Sequence, residues 1–383
     1  MSVTVAVLKE TRKGERRVSI VPAVAVKISQ LGATLAIETK AGLAATFPDS
    51  AYAGARFQSD GPSVVADADI VLAVQPPAVE VVEAMKPGAV LIAFLYGPTN
   101  PQLVAALQAR EVTALAMEAI PRISRAQAMD ALSSQAALAG YYAPLLGAVN
   151  MPRILPMMTT AVGSLRAAKV LVMGLGVAGL SALATARRLG AITEGYDVRP
   201  ETKEQALSLG AKFVETGVDA RGEGGYAREL TAQEQDQVQS ALSKHIAEAD
   251  MIITTASVPG RPAPRLISAA QIAAMKPGAV IVDLSAEGGG NCEGAKPGET
   301  VVLGPTTLVA PLNVPSALAQ HSSELYAKNI LNLLQLIVKD GAIHLDFDDE
   351  VLAGTVLTHA GKIMNPTVRE RLQGASPAQT PVE

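Results

Sequence analysis

Two sets of residues in this 383-residue chain have the types and spacing to do chemistry. The first is Gly174-Leu175-Gly176-Val177-Ala178-Gly179, a G-x-G-x-x-G run. An apolar, β-branched stretch, Val170–Met173, precedes it, and a helical pattern, LSALATARRLG, follows. In that context the first glycine permits a tight turn. The second admits a pyrophosphate to the backbone, and the third lets helix and strand pack closely. The helix start then offers its amides, those of Val177 and Ala178 included, to phosphate oxygens. A second strand is expected in ITEGYDV and ends in Asp197, 18 residues beyond Gly179. There an acid can accept the adenosine ribose hydroxyls. Together these residues point to a dinucleotide, NAD(H). Arg199 could in principle accept a 2′-phosphate, but Asp197 repels one, which favours NAD over NADP.

The second set is Arg122, Gln127, Asp130 and Ser133. The spacing predicts a helix from Ser124 to about Leu146, with Ser124 and Gln127 as a capping box. Gln127, Asp130 and Ser133 would then share one face, with Arg122 just before it. Polar groups so placed can hydrogen-bond a nicotinamide carboxamide and its ribose. They can equally form an ordinary solvated helix start. Asp283 and Asn313 fall at predicted strand ends, where α/β sheets bind ligands or simply cap strands. Tyr226, in the glycine-rich VDARGEGGYAREL, can close over a ligand or stand as an exposed loop aromatic. Cys292 has no His near it in sequence, which argues against a nucleophile. The four His residues show no metal-binding spacing, so no metal is expected.

These residues need a scaffold, and the pattern supplies one. Strand-like runs (VTVAVL, TLAIET, ADIVLAV, AVLIAFL, VTALAM) alternate with helical ones, which predicts an α/β fold with parallel sheets. The second half repeats the alternation around the glycine strand and predicts a Rossmann sheet of about six strands. ILPMMTTAVGSLRAA reads as a loop, Pro315–Val338 as a helix, and IHLDFDDEVLAGTVLTHAGKIM as short strand-like pieces. SPAQTPVE reads as a disordered tail. The expected domains are 1–135 with 325–383, and 136–324. The cofactor is expected in the cleft between two Rossmann-like domains joined by long bridging helices. A net charge of −4 without a basic run argues against nucleic acid as partner. No apolar run reaches the ~20 residues of a membrane span, and a single Cys excludes an internal disulfide.

PRISRAQAMDALSSQAALAGY, KVLVMGLGVAGL, GGYAREL, IITTASVPGRPAP, IVDLSAEGGGNCE and LNVPSALAQHSSELYAKNIL together resemble the NAD(H)-binding component of proton-translocating NAD(P) transhydrogenases. The resemblance runs from VAVLKE to about Thr358. It implies NAD(H) on this chain and NADP(H) on a partner component, with direct hydride transfer between them. It further implies a homodimer and a transmembrane proton-translocating component. That would place the chain in the cytoplasm, peripheral on the inner face of the membrane. By the same resemblance Arg122, Gln127, Asp130 and Ser133 surround the nicotinamide, and Tyr226 lies on a closing loop.

Alanine dehydrogenases look similar too. Their acid–base Lys and His correspond to Gln75 and Tyr96 here. Glutamine cannot exchange a proton near neutral pH, and tyrosine has a reference pKa of about 10. Amino-acid oxidation needs such a base, whereas hydride transfer between two nicotinamides needs aligned rings. Arg17 does match the dehydrogenase's substrate-carboxylate Arg, so an amino-acid dehydrogenase stays open as an alternative, as does a non-catalytic NAD-binding module.

Overall fold

The computed structural model describes residues 2–221, 228–257 and 262–374. The chain opens with β1 (Thr4–Val7), α1 (Pro22–Gln30), β2 (Thr34–Glu38), β3 (Arg56–Gln58), α2 (Gly61–Val65), β4 (Ile70–Leu72), α3 (Val79–Ala84), β5 (Val90–Ala93), α4 (Pro101–Ala109) and β6 (Thr113–Ala116). A 3-10 helix, Ser124–Met129, leads to α5 (Ala131–Asn150). The hairpin β7 (Met158–Thr160) and β8 (Gly163–Leu165) follows. Next come β9 (Lys169–Met173), α6 (Val177–Arg188), β10 (Ile192–Tyr196), α7 (Thr202–Ser208), β11 (Lys212–Phe213), α8 (Ala232–Glu248) and β12 (Met251–Thr254). After them are α9 (Ala269–Ala273), β13 (Ala279–Asp283), β14 (Thr300–Leu303) and β15 (Thr306–Val309). The last elements are α10 (Ala319–Ile337), β16 (Val338–Lys339), β17 (Ala342–Ile343), α11 (Glu350–Thr355), β18 (Val356–His359), β19 (Lys362–Ile363) and α12 (Pro366–Gly374).

The chain divides into two compact units. One runs to Gln135 and resumes at Ser316, and the other is Ala136–Pro315. The first unit holds an eight-stranded sheet in the order β19-β18-β6-β5-β4-β1-β2-β3. The pairs from β3 to β6 are parallel, and β18 and β19 add an antiparallel edge. The central strands IVL, VLIA and TALA are buried at every position, as helices on both faces of a parallel sheet require. Alternate residues sort to the two faces. Val5 and Val7 join a core with α1 and α10, and Ala6 packs with residues of α2, α3 and α4.

The second unit holds a seven-stranded sheet, β11-β10-β9-β12-β13-β15-β14, parallel except for β14. Val170 and Val172 of β9 pack with α6, and Leu171 and Met173 pack with α8 and α9. In both units the parallel strands follow the order three-two-one-four-five-six, the doubly wound order.

Five sequence expectations need correction. Ser124–Met129 is a separate 3-10 helix, and the α-helix starts only at Ala131. The Asp130 carboxylate accepts hydrogen bonds from the Ser133 amide and hydroxyl, at 2.9 and 2.6 Å. Asp130 therefore caps the new helix instead of continuing the old one. The Ser124–Gln127 capping box does not form: the 3-10 helix follows Ile123 with no side-chain cap. Ile154–Ala168 is not all loop but contains the β7–β8 hairpin, whose Thr159 and Ser164 hydroxyls pair across it at 3.0 Å. The second sheet has seven strands, because Gly304 at φ +59° and Pro305 turn VVL and TTLV into a hairpin. Finally, Glu350–Thr355 is helical, with Asp349 accepting from the Val351 and Leu352 amides as its cap.

The chain re-enters the first unit ahead of α10, at Ser316, and not inside it at 325. Ala319 already belongs to the first-unit core, as do Tyr326, Ile330 and Leu334. The tail from 375 onward lies outside the described residues.

Candidate functional site

β9 ends at Met173 and α6 begins at Val177, so the glycine run forms the whole turn between them. Three glycines do three different things. Gly174 has φ +93°, and a Cβ there would stand 2.9 Å from both the Ala256 amide nitrogen and Thr255 Oγ1. It thus lets the turn pass close to the end of β12. A Cβ on Gly179 would fall 1.8 Å from the Gly174 carbonyl oxygen, so only glycine lets α6 fold back over the turn. Around Gly176 nothing lies within 4 Å of a Cβ position, and this residue supplies no side-chain cap to α6. The first amides of a helix have no intrahelical acceptor. An uncapped helix start with open space beside its N-cap glycine suits a phosphate group. It lies where β9 neighbours β12, the point at which strand order reverses and such sheets bind ligands.

Neighbouring elements hold this turn in place. Thr255 Oγ1 donates to the Gly174 carbonyl at 2.8 Å. Within the second unit, α5 crosses the start of α6 at small residues. A Cβ on Gly140 would meet the Ala178 carbonyl oxygen at 2.1 Å, and Ser181 Oγ donates to the Ala137 carbonyl at 2.7 Å. Asp197, just after β10, accepts from the Leu175 amide at 2.6 Å and from the Arg199 guanidinium at 2.8 and 2.9 Å. The acid is thus tied to the glycine turn itself.

Sequence reasoning missed Thr255 and Asn291. Asn291 is fully buried; its side chain accepts from the Ala256 amide and donates to the Ala256 and Pro264 carbonyls. It pins the segment after β12. Its one signal was its place directly after three glycines. Asp283 accepts from the backbone amides of Ser285, Asn291 and Cys292, so it caps its strand. Burial pushes the Cys292 thiol well above its ordinary pKa, and its side chain sees no solvent. Asn313 sits at φ +47°, its amide on Glu287 Oε1. Tyr226 lies outside the described residues.

In the first unit Gln127 and Arg122 are exposed and Asp130 and Ser133 half-buried. The structure brings Asp130 and Ser133 together; Gln127 stands on the preceding 3-10 helix, so the three do not share one α-helical face. Arg17 is buried and its guanidinium forks onto Glu15, at 2.8 and 2.6 Å, while Nη1 donates to Gln135. Gln75 uses both ends of its amide: Nε2 donates to Glu15 at 2.9 Å, and Oε1 accepts from Arg12 at 3.0 Å. Burial opposes ionisation of Glu15, but the Arg17 fork and the Gln75 amide hold its carboxyl down at about 2. Glu10 takes the Val74 and Gln75 amides at 2.6 and 3.2 Å. Burial raises it to about 8, with Glu15 adding to the rise. Tyr96, at φ +47°, stacks on Phe94 with ring centroids 5.9 Å apart. Among the described residues no group of three or more His, Cys, Asp or Glu side chains could hold a metal ion.

Two expectations follow. Gly176→Ala should cost less than about 1 kcal/mol of stability, the modest N-cap preference for glycine, yet weaken nucleotide binding. Gly179→Ala should cost about 1–3 kcal/mol through overpacking. Thermal melts and nucleotide titration separate the two, and equal melting losses would remove the open side of Gly176 from the argument. Glu10 has a folded pKa above its unfolded value. Its contribution to stability is therefore full below about 4.5 and lost as pH rises through about 8. The melting temperature of the wild type relative to Glu10→Gln should fall across that window. A constant difference would mean that the carboxyl ionises unhindered.

Comparison with known proteins agrees with this geometry. Residues 6–139 match the family model "Alanine dehydrogenase/PNT, N-terminal domain", and residues 143–366 match its C-terminal counterpart. The chain is 45% identical over 377 residues to an NAD(P) transhydrogenase subunit alpha polypeptide of Rhodospirillum rubrum, covering 95% of this chain and 98% of that one. It is similar to the crystal structure of transhydrogenase from Sinorhizobium meliloti, with TM-score 0.84, 41% identity, and 95% and 99% of the two chains covered. An L-alanine dehydrogenase structure shares the fold, with TM-score 0.81 at 23% identity over 98% and 100%. The chain belongs to the alanine dehydrogenase/PNT family, as a homologue of NAD(P) transhydrogenase subunit alpha.

Proposed function

We propose that this chain is the NAD(H)-binding subunit of a proton-translocating NAD(P) transhydrogenase. The observation that carries the choice within the family is Gln75. It stands where the similar dehydrogenases have their acid–base Lys, and both ends of its amide are taken up by Glu15 and Arg12. No proton can be exchanged there. Arg17, matching the substrate-carboxylate Arg, is likewise held by Glu15 and Gln135.

When bound, NADH supplies a hydride. The chain's own residues bind and orient it. Gly174, Gly176 and Gly179 shape the turn, and the amides of Val177 and Ala178 face the pyrophosphate. Asp197 serves the adenosine ribose. Arg122, Gln127, Asp130 and Ser133 are assigned to the nicotinamide end, with the Asp130–Ser133 hydrogen bond fixing two of them relative to each other. Tyr226 and Asn313 complete the set. NADP(H) belongs to a partner component, and a membrane component couples the transfer to protons. No helix among the described residues is long and apolar enough to cross a membrane. The chain would accordingly be cytoplasmic and peripheral on the inner face of the membrane, held there by its partners. A homodimer belongs to the same reading. The β7–β8 hairpin supports it, carrying Val162 at 99% exposure beside exposed Met157 and Leu165.

Mixing the chain with an NADP(H)-binding transhydrogenase component should give hydride transfer from NADPH to an NAD analogue. Absence of transfer with a competent partner would overturn the proposal. The chain alone should give no NADH from alanine and NAD. Steady alanine-dependent reduction would instead make it an amino-acid dehydrogenase, and binding without transfer in either assay would make it a non-catalytic module. Val162→Asp should shift the sedimenting species toward monomer; an unaltered dimer would clear the hairpin of that role.

A further inference from the structure

The residues assigned to the nicotinamide end straddle a break between two helices. Arg122 and Gln127 come before it, and Asp130 and Ser133 open the next helix. A short 3-10 helix has poor hydrogen-bond geometry and holds its own shape weakly. Ser124–Met129 has no side-chain cap, and its Gln127 is exposed. Its placement against α5 must therefore come from elsewhere in the first unit.

Asn329 supplies it. This residue lies on α10, which packs against the 3-10 helix, and is 6% exposed. Its carboxamide spans the break. Nδ2 donates to the Ala128 carbonyl at 2.9 Å on one side, and Oδ1 accepts from the Ser134 hydroxyl at 2.7 Å on the other. A carbonyl oxygen only accepts, so the amide has one orientation: nitrogen to the 3-10 helix, oxygen to α5. A buried amide is costly to leave unpaired, which keeps both bonds made. The Asp130–Ser133 hydrogen bond falls between the two points that Asn329 grips.

Other contacts hold the 3-10 helix less firmly. Asn332 Nδ2 reaches the Ala128 carbonyl at 3.3 Å but lies closer to the Lys328 carbonyl, at 2.7 Å. Arg125 forks onto Asp349 at 2.8 and 2.9 Å, yet its side chain is 47% exposed, where water and salt weaken an ion pair. Ala126 seats the helix on the core, but a single methyl group leaves its tilt open. We propose that Asn329 is a positioning residue for the hydride-transfer end of the site. Its carboxamide sets the tilt of the 3-10 helix against α5, and with it the distance of Gln127 from the Asp130–Ser133 pair. This inference rests on the transhydrogenase reading above.

The test uses the full chain mixed with an NADP(H)-binding transhydrogenase component, with NADH titration of the chain and thermal melts alongside. Asn329→Leu keeps the bulk and removes both bonds. It should lower the transfer rate at saturating nucleotide by about tenfold or more, the scale on which small misplacements of reacting groups act. NADH affinity should stay near wild type, because the glycine turn and Asp197 carry most of the nucleotide. Ser134→Ala removes the α5 bond alone and should give a smaller loss of rate. Combined with Asn329→Leu it should add nothing, because one bracket is broken only once. Losses that multiply would overturn the proposal. So would a folded Asn329→Leu that transfers at the wild-type rate, or one that loses rate and affinity in proportion, as a merely structural residue would. Asn329→Asp keeps the bond from Ser134 and loses the donor to Ala128, and it must show the same split between rate and affinity where Asn329→Leu melts early. Wild type that transfers no hydride with a competent partner would overturn the transhydrogenase reading itself, whereas wild-type transfer with undiminished rates in the Asn329 variants would overturn this inference alone.

Discussion

The second unit turns on one close approach. The Gly174 carbonyl, the absent side chain of Gly179 and the Thr255 hydroxyl meet where β9 ends, β12 ends and α6 begins. A methyl group on Gly179 would stand 1.8 Å from that carbonyl. Because the helix can fold back so tightly, its first amides emerge beside the end of the sheet and not several ångströms off to one side. The rest of the unit is arranged to keep that junction. Asn291 pins the segment after β12, Asp283 pins Asn291, and the small residues of α5 leave room for α6. None of these groups needs to touch a nucleotide to matter for it.

Much of this was legible in the sequence, and the reasons differ by residue. Buried parallel strands announce themselves as short apolar runs, so β4, β5, β9, β12 and β13 were readable without tertiary information. The glycine turn was readable because each glycine answers a steric demand made locally. The break at Asp130 was not. A spacing of three suits a continuous helix, and only the side chain's choice of the Ser133 amide reveals a new start. The β14 edge strand escaped for a related reason: its alternating, half-exposed pattern is weak, and the turn at Gly304 fixes it. Asn291 and Thr255 act through contacts made across the sheet, which no local window contains.

Asp197 shows the limit in its sharpest form. Its position predicted an acceptor for a ribose. Its surroundings show an acceptor already supplied by Leu175 and Arg199. Composition and spacing indicate which atoms stand ready for a ligand, but not whether the protein has satisfied them itself.

The two units share one strand order and treat its reversal point in opposite ways. In the second, glycines leave the helix start uncovered. In the first, the chain after β1 carries no such turn; Glu10 lies on the Val74 and Gln75 amides, and Glu15 lies between Arg17 and Gln75. At the same place in the strand order the first unit sets two of its own carboxyl groups, and the second leaves room for a diffusible anion. A doubled architecture becomes asymmetric without any change of topology, simply through where it places its own acidic side chains.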